Sequence, residues 1–600
     1  MGKIYDKSLR YIEKINQWRK RRISNANFLI IAAAVVGIFG GIASSLLKEL
    51  THSVASFLQN DFHWEYKYYL YLVFPLVGIL LTVLYIRTFI RRSKFQHGIA
   101  PILYNISHNS SRIDLHNVYS QVISSALTVG LGGSAGLEAP SVASGAAIGS
   151  NIGMFFGLNY RETSLLLACG AAAGIAGAFN SPVAGMIFAM EVIMPEFSIP
   201  AFIPLLIASA FSSVISQLIY HEPLFIFVTK GDWVLKAFWY YLIFGILVGI
   251  FSVYFSKLNT YLSGLFLKIR NRYNRVLIGG VSLGIMIALV PALYGEGYIT
   301  IQELLDGHYH MLLRNSFFSS YQDISWVLLC FAAVTIIGKT LASIITVSSG
   351  GNGGMFGPSM VVGGLIGFVF SYGLNLTGMT HINVTNFIIA GMAASLSGVM
   401  HAPLTGIFLA AEITGGYALM VPLMLVSAIS YFINKGSLKY SIYTMTLAEQ
   451  GNLVSAENRE HRVLRRIKLK YLIEKDFIIL HPGDTPRSRS SEIIHTTKNI
   501  FPVVTEEGDL LGLIFSDRLL ELLLSTNPED QVRPMKDIAQ PPDRVIPVNT
   551  PMHEVMRIMD SLDFRVLPVV DASNKYLGFV TKNGIFNKYR HILKRQEQEY

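Results

Sequence analysis

The feature that most constrains this chain is a stretch of 72 residues, Thr340–Ala411, that contains no Asp, Glu, Lys or Arg. Glycine, proline, serine and asparagine nevertheless interrupt it, for example at Gly350–Gly354. Spanning helices joined by ordinary loops would show charged residues between the spans. Uncharged breaks instead predict non-helical backbone at membrane depth, which is tolerated only where it is buried in protein or lines a cavity. The stretch therefore predicts a polytopic, all-α membrane core with broken helices.

Composition supports a membrane location for most of the chain. Only 15% of the residues are charged and 52% are hydrophobic, whereas soluble domains carry about 25% charged residues. Phe28–Leu47 and Tyr68–Ile86 are uncharged apolar runs that are long enough to cross a bilayer. The sequence has no HExxH motif, no cluster of Cys and His and no close pair of carboxylates in its apolar part. We therefore predict neither a membrane enzyme nor a metal site.

The first 27 residues form a basic segment. Residues 1–22 carry eight Lys or Arg against Asp6 and Glu13, which places the N-terminus in the cytoplasm by the positive-inside rule. The net charge of +10 is attributed to this topology and to attraction to lipid, and no nucleic-acid partner is predicted. Short loops and a compact tail favour a bacterial cell membrane as the location.

Two motifs occur twice in the chain, in the same order. Residues 170–193 align without gaps with 391–414 at a separation of 221, and residues 133–149 align with 351–367 at a separation of 218. The first pair matches Glu191 with Glu412, which we interpret as structural residues near helix ends. The repeats predict a transmembrane core over residues 28–446, built from two inverted-repeat halves at about 28–220 and 235–446.

The sequence changes character after residue 446. A charged linker, 447–465, is followed by a strand–turn–strand–helix pattern that occurs twice, at Phe501–Ile514 and again at Leu567–Val580. This predicts a soluble α/β pair, residues 466–527 and 528–600, on the cytoplasmic side. The pair resembles tandem CBS domains. Packing or dimer stabilisation is the preferred interpretation of its role, and an adenine nucleotide is the alternative ligand; no other cofactor is predicted.

Glu138 is the most informative single residue. It is the only Asp, Glu, Lys or Arg between Asp114 and Arg161. An isolated carboxylate in such surroundings is costly unless it is protonated, hydrogen-bonded or functional. One interpretation is that Glu138 caps a broken helix. The other is that it competes with a permeating anion for one site and leaves that site when it is protonated.

Glycine-rich turns precede apolar helical runs at equivalent places in the two repeats, Gly132–Gly136 and Gly350–Gly354. The N-terminus of a helix presents unpaired N–H groups and a partial positive charge. Such a site holds an anion weakly enough to release it, whereas a full Lys or Arg partner would bind it too tightly. The predicted substrate is therefore a small inorganic anion, with chloride as the first choice.

These motifs carry a resemblance to the CLC family of chloride channels and chloride/proton antiporters. Gly132–Pro140 resembles the family's GxEGP element and Gly353–Pro358 resembles its GGxFxP element. The resemblance, which covers about 28–446, implies that Glu138 is the external gate. It also implies an anion site formed by these residues: His97, Gly98, Leu137, Met355, Phe356 and Tyr440. Because Phe179–Gly185 resembles the segment between subunit-interface helices, the resemblance further implies a homodimer.

Two departures from the family pattern leave alternatives open. His97 stands where the family has a serine, so its ring either donates to the anion or turns away and leaves only backbone there. Val192 stands where antiporters of the family carry the glutamate that relays protons, so we expect a channel or an uncoupled pathway. An anion/proton antiporter with another proton route is the alternative. A CBS-regulated cation transporter is the second alternative, although its ion path would require several acidic residues.

Overall fold

The computed structural model describes residues 16, 19, 21–57, 67–90, 97–194, 201–220, 233–314, 316–378, 380–451, 464, 467–561 and 564–598. The chain forms two compact units, residues 1–453 and 454–600, and each is described by itself. Most of the predicted basic segment, residues 1–15, and most of the predicted linker, residues 452–463, lie outside the described residues.

The first unit is helical and its helices fall into two series. The first series is α1 Asn25–Ser56, α2 Lys67–Phe89, α3 Ala100–His108, α4 Asn117–Gly130, α5 Glu138–Phe155, α6 Tyr160–Phe179, α7 Pro182–Phe188 with a π-helical turn Ala189–Ile193, and α8 Phe202–Ile219. The second series is α9 Phe238–Lys268, α10 Arg272–Leu289, α11 Tyr298–Leu305, α12 Ser325–Ser348, α13 Phe356–Leu376, α14 Val384–Met400, α15 Pro403–Ile413, α16 Met420–Ser437 and α17 Ile442–Glu449.

Eight helices within the described ranges are long and apolar enough to cross a membrane. Both predicted apolar runs lie in such helices, α1 and α2. The same pairs of helices pack in both series: α5 on α6 as α13 on α14, α1 on α8 as α9 on α16, and α6 on α8 as α14 on α16. The outer faces carry exposed apolar side chains such as Phe39, Ile250 and Ile278, as a lipid environment requires. The predicted fold class, an all-α core of two related halves, is confirmed.

Each series contains a helix that stops sharply and restarts within two residues. Asn180, after α6, and His401, after α14, adopt the same left-handed conformation, with φ of +55° and +56°. Their positions differ by the separation of the sequence repeat. A left-handed residue ends a helix, and the proline that follows, Pro182 or Pro403, begins the next one because its missing N–H costs nothing there.

The two series are joined by reciprocal caps at these restarts. The carboxylate of Glu412 on α15 accepts hydrogen bonds from Val183 N at 3.0 Å and Ala184 N at 2.8 Å at the start of α7. The carboxylate of Glu191 in turn accepts from Leu404 N at 3.2 Å and Thr405 N at 2.9 Å at the start of α15. Each glutamate therefore satisfies helix-terminal N–H groups of the other half, in agreement with a structural role.

We expect Glu412→Ala to destabilise the membrane unit, because two buried N–H groups of α7 would lose their acceptor. The expected cost is about 1–3 kcal/mol for each unsatisfied buried donor. Thermal unfolding of the detergent-solubilised protein measures it, with Glu449→Ala as the control because Glu449 is exposed at the end of α17. An unchanged unfolding temperature for Glu412→Ala would contradict the capping role.

The second unit contains two small sheets with the same local pattern. Its elements are α18 Ser490–His495, β1 Ile500–Val504, β2 Leu510–Phe515, α19 Ser516–Leu524, α20 Pro528–Gln531, α21 Met535–Ile538, β3 Ile546–Pro547, α22 Met552–Ser561, β4 Val566–Val570, β5 Tyr576–Thr581 and α23 Lys582–Gln598. The antiparallel pairs β1–β2 and β4–β5 have matching registers, and each carries an irregularity at the same point, Val503/Val504 and Val569/Val570. The predicted α/β character of the tail is confirmed.

Candidate anion site between two broken helices

The two glycine-rich breaks meet in the interior of the membrane unit. Gly136 N donates to the carbonyl oxygen of Gly354 at 2.9 Å, and Gly354 N donates to that of Gly136 at 2.8 Å. Helix α5 begins two residues after the first glycine, and α13 begins two residues after the second. This antiparallel bridge therefore brings together two helix N-termini, whose N–H groups and partial positive charges suit an anion.

The repeated sequence explains why the breaks have matching shapes. Gly132 and Gly350 both have positive φ, +95° and +112°, which favours glycine. The halves also exchange hydrogen bonds: Ser134 N donates to Thr346 Oγ1 at 3.1 Å, and Asn352 N donates to Thr128 Oγ1 at 2.9 Å. Each break is therefore held by a hydroxyl of the other half, so that its backbone is buried without losing its partners.

Glu138 is the first residue of α5 and only 2% exposed. Its Oε2 accepts a hydrogen bond from Gly357 N at 3.2 Å, in the first turn of α13. Its Oε1 accepts one from the hydroxyl of Tyr298, at the start of α11. The carboxylate therefore lies on the N–H donors that a permeating anion would use, which is the position expected of a side chain that competes with that anion.

The other residues predicted at the two helix starts lie beside Glu138 in sequence or across the bridge from it. Leu137 directly precedes α5 and Met355 directly precedes α13. Phe356 is the first residue of α13. All three side chains are buried. The ring of Phe356 packs against Phe179 and Phe188, so apolar side chains surround the polar helix ends. An apolar wall strengthens the interaction of an anion with the N–H groups by excluding water.

His97 is bonded to the breaks through its side chain. Its Nδ1 lies 3.2 Å from Asn352 Oδ1, and Asn352 Nδ2 donates to Gln121 Oε1 at 2.9 Å and to Ser124 Oγ at 2.7 Å. Gly98, next to it, has φ of +80° and open space where a Cβ would stand. The imidazole is thus part of a polar network that supports the second break, and its direct contact with an anion stays a prediction.

A second tyrosine near the segment that contains the predicted Tyr440 is Tyr443, which lies closer to the core beside Glu138. Tyr440 is half-buried, and the ammonium of Lys439 lies 5.6 Å from the centre of its ring. Tyr443, in the first turn of α17, is 7% exposed and close enough to Glu138 to interact electrostatically. Its hydroxyl has no hydrogen-bond partner among the described residues. The segment 439–441 leads into α17, and the contact of Tyr440 with an anion stays a prediction.

Val192 lies in the π-helical turn after α7, half-buried against the apolar core. The carboxylate of the adjacent Glu191 accepts a hydrogen bond from Thr405 N at the start of α15, so it does not substitute for a carboxylate at residue 192. Residue 192, the position that the family resemblance associates with proton relay, therefore carries no carboxylate.

Sequence reasoning missed three charged residues near Glu138. Lys48 and Lys339 are almost fully buried, and Glu296 accepts a hydrogen bond from Leu137 N at 3.2 Å. Lys48 directly follows the predicted span Phe28–Leu47, and Lys339 directly precedes the uncharged stretch that begins at Thr340. Charged residues inside apolar helices are costly and usually functional, so the sequence positions of Lys48 and Lys339 could have marked them as candidate site residues.

In the second unit, the hydroxyl of Thr581 donates to Glu474 Oε1 at 2.6 Å and accepts from Gly584 N at 2.9 Å. This threonine ends β5, in the unit for which the sequence leaves an adenine nucleotide as the alternative ligand. Both of its hydrogen bonds are internal to the unit, and nucleotide binding stays a prediction.

Comparison with known proteins agrees with this geometry. The family described as voltage gated chloride channel matches residues 77–435, and the CBS domain matches residues 535–591. The H(+)/Cl(-) exchange transporter ClcA of Vibrio vulnificus is 32% identical over 302 residues, which are 49% of this chain and 61% of that protein. The same-named transporter of Vibrio parahaemolyticus is 32% identical over 300 residues, 48% of this chain and 60% of that protein.

Solved structures share the fold at lower identity. A slow cyanobacterial Cl-/H+ antiporter superposes with a TM-score of 0.60 at 21% identity, over 70% of this chain and 97% of its own. A eukaryotic CLC transporter superposes with a TM-score of 0.58 at 15% identity, over 94% of this chain and 99% of its own. The chain spans about 61% of the length of the curated relatives it matches. With more than half of its residues matched by the family, the chain is a member of the voltage gated chloride channel family.

Proposed function

We propose that this protein carries chloride, or a similar small anion, across a membrane through the site between the N-termini of α5 and α13. The carboxylate of Glu138 closes that site by accepting the hydrogen bond of Gly357 N, and it opens the site when it is protonated. The observation that carries this proposal is the bridge of Gly136 and Gly354, which aims two helix N-termini at one place.

The chemistry of the site favours an anion over a cation. Its groups at the two helix starts are backbone N–H donors, and a cation path would instead require rings of carboxylates or carbonyl oxygens. The donors are neutral, so they replace part of the hydration of an anion without trapping it. The exchangers and antiporters among the related proteins support the same substrate class.

Two modes of transport remain in competition. The apolar side chain at Val192 favours a channel or uncoupled pathway, because valine carries no proton. The alternative is proton-coupled exchange by another route, and it is favoured by the relatives named as H(+)/Cl(-) exchange transporters. The buried Tyr298 hydroxyl, which donates to Glu138, is a group through which such a route would reach the gate.

Tyr443 is the side chain that we assign to the inner end of the anion site. Its buried hydroxyl lacks a partner within the described part of the chain, and an anion would supply one. We expect Tyr443→Phe to weaken chloride binding roughly tenfold, since a hydrogen bond to a charged group contributes about 1.5–3 kcal/mol. Calorimetric chloride titration of the purified protein measures this, and Tyr440→Phe, titrated in the same way, tests the tyrosine that the family resemblance implies. Equal affinities for wild type and Tyr443→Phe would remove the hydroxyl from the site.

The remaining features of the proposal come from the sequence. The basic N-terminus and the α/β tail are assigned to the cytoplasmic side of a cell membrane, by the positive-inside rule. The family resemblance supports a homodimer. In the tail, we keep packing or dimer stabilisation as the primary role of the CBS pair and an adenine nucleotide as the alternative ligand.

The proposed function is tested by chloride efflux from proteoliposomes with simultaneous recording of external pH. Chloride efflux without proton movement supports an uncoupled pathway. Proton movement in fixed proportion to chloride supports exchange and overturns the inference from Val192. If neither chloride nor bromide, nitrate or fluoride leaves the vesicles, anion transport itself is contradicted.

A further inference from the structure

A second carboxylate lies beside the anion site, at the start of α5. Glu296 stands between Gly295 and Gly297, which both have positive φ, +61° and +94°. Its Oε1 accepts a hydrogen bond from Leu137 N at 3.2 Å, and its Oε2 lies 3.9 Å from His52 Nε2. The Glu296 side chain is 11% exposed and that of His52 is 39% exposed, so exposure increases from Glu296 to His52.

Each of the two carboxylates, Glu138 and Glu296, accepts a hydrogen bond from a backbone N–H group at the start of one helix. The Glu138 carboxylate accepts from Gly357 N in the first turn of α13, and the Glu296 carboxylate accepts from Leu137 N just before α5. They are linked further, because Tyr298, two residues after Glu296, donates its hydroxyl to Glu138. An anion that approaches from the side of His52 therefore meets Glu296 before it reaches the N–H groups covered by Glu138.

A buried lysine holds this arrangement. Lys339 Nζ donates to the carbonyl oxygen of Gly295 at 2.7 Å and to that of Leu293 at 3.3 Å, which fixes the loop that carries Glu296. The ionisable groups that face Glu296 from the packed elements are Lys48 and His52 on α1, Glu138 on α5, Tyr298 on α11 and Lys339 on α12.

We propose that Glu296 is a second carboxylate of the gate, and that with His52 it sets the external proton concentration at which Glu138 opens the site. This inference rests on the proposed function. Its physical basis is repulsion: the negative charge of Glu296 acts on Glu138 only while Glu138 is ionised and closing the site. The charge of Glu296 therefore makes the gate easier to open by protons.

This repulsion predicts the direction in which two substitutions shift the midpoint of the dependence of anion flux on external pH. Glu296→Gln removes the charge but keeps an oxygen that can accept from Leu137 N, so a higher proton concentration is needed to open the gate. We expect the midpoint of the dependence of anion flux on external pH to fall by about one pH unit, the size of a single close charge interaction. A charge on the His52 imidazole would offset that of Glu296, which lies 3.9 Å away, so His52→Gln shifts the midpoint in the opposite direction.

The experiment measures chloride flux from proteoliposomes against external pH for the full-length protein. Glu303→Gln is the matched control, because Glu303 lies on α11 but pairs with His308 at 3.1 Å, away from the gate. The shift caused by Glu296→Gln must disappear when it is combined with Glu138→Gln, since the effect acts through Glu138. Size-exclusion chromatography verifies that each variant is folded, and His52→Gln provides the test if Glu296→Gln is not.

The outcomes are distinct from those of the proposed function. A wild type that passes no anion at any pH contradicts the function itself. A wild type with pH-dependent flux, a Glu296→Gln midpoint lower by about one unit and an unchanged Glu303→Gln midpoint support the proposal. An unchanged midpoint in Glu296→Gln, or an equal shift in the Glu138→Gln background, overturns it.

Discussion

Replacement of Glu138 by glutamine is expected to leave the anion pathway permanently open and to abolish the dependence of flux on external pH. The ionised carboxylate holds Gly357 N and the Tyr298 hydroxyl through charge-assisted hydrogen bonds. Such bonds contribute about 1.5–3 kcal/mol each, against about 0.5–1.5 kcal/mol for neutral ones. The amide of glutamine therefore competes less well with an anion, and no change of pH restores its charge.

Chloride flux from proteoliposomes at several external pH values measures this effect. We expect a pH-independent flux for Glu138→Gln, at least as fast as the greatest wild-type flux. If the wild type exchanges protons, the variant is expected to move chloride without them. Glu449→Gln, at an exposed position, is the control. A Glu138→Gln protein that is closed, or that retains the pH dependence of the wild type, would show that another group gates the site.

Replacement of Gly170 by alanine is expected to prevent the membrane unit from folding normally. Helices α5 and α6 cross at Gly145 and Gly170, where a Cβ at Gly170 would lie 1.9 Å from the carbonyl oxygen of Gly145. The other half repeats this crossing, since a Cβ at Gly391 would lie 2.0 Å from the carbonyl oxygen of Gly363. Backbone cannot yield as a flexible side chain does, so α5 would have to move away from α6.

That movement would displace Glu138 at the start of α5 as well as lower stability. Overpacking costs about 1–3 kcal/mol where side chains can adjust, and we expect Gly170→Ala to reach or exceed that range. Yield on size-exclusion chromatography and thermal unfolding in detergent measure the loss. Gly264→Ala on α9 is the matched control, because an added Cβ there meets no atom within 4 Å. Equal yields and unfolding temperatures for the two variants would contradict the close crossing.

The centre of the site follows directly from the sequence repeat. Alignment of residues 133–149 with 351–367 pairs two glycine-rich turns, and the structure joins them through Gly136 and Gly354. A glycine break that recurs at equivalent positions has to be buried against its counterpart, because only there do its backbone groups find partners in a membrane. The isolation of Glu138 in sequence likewise predicted a residue whose burial needed specific partners.

The full burial of Tyr443, in contrast to the half-buried Tyr440, depends on where a helix begins. The two tyrosines are three residues apart, and both suit an interior position by composition. Ser441 caps α17 through a reciprocal pair of hydrogen bonds with Thr444, so the helix starts after Tyr440 and carries Tyr443 inward. Helix boundaries are the least certain part of a sequence prediction, so the sequence alone did not single out Tyr443.

The charged cluster of Glu296, Lys48 and Lys339 could not be assembled from sequence. These residues are far apart in the chain, and each one stands at the edge of an apolar run, where a charged flank is ordinary. Only the packing of α1, α11 and α12 around the start of α5 brings them together. Their proximity is a tertiary fact, whereas the breaks that they surround are encoded locally by glycine and proline.

Anomalous diffraction from crystals grown in bromide tests the central claim most directly, because it locates the anion relative to named N–H groups. For Glu138→Gln, we predict a bromide peak between the starts of α5 and α13, within hydrogen-bonding distance of Gly357 N and facing the hydroxyl of Tyr443. For the wild type at alkaline pH, the same position is expected to hold the Glu138 carboxylate. A Glu138→Gln crystal with bromide bound elsewhere in the membrane unit, and none between the two helix starts, would contradict the account.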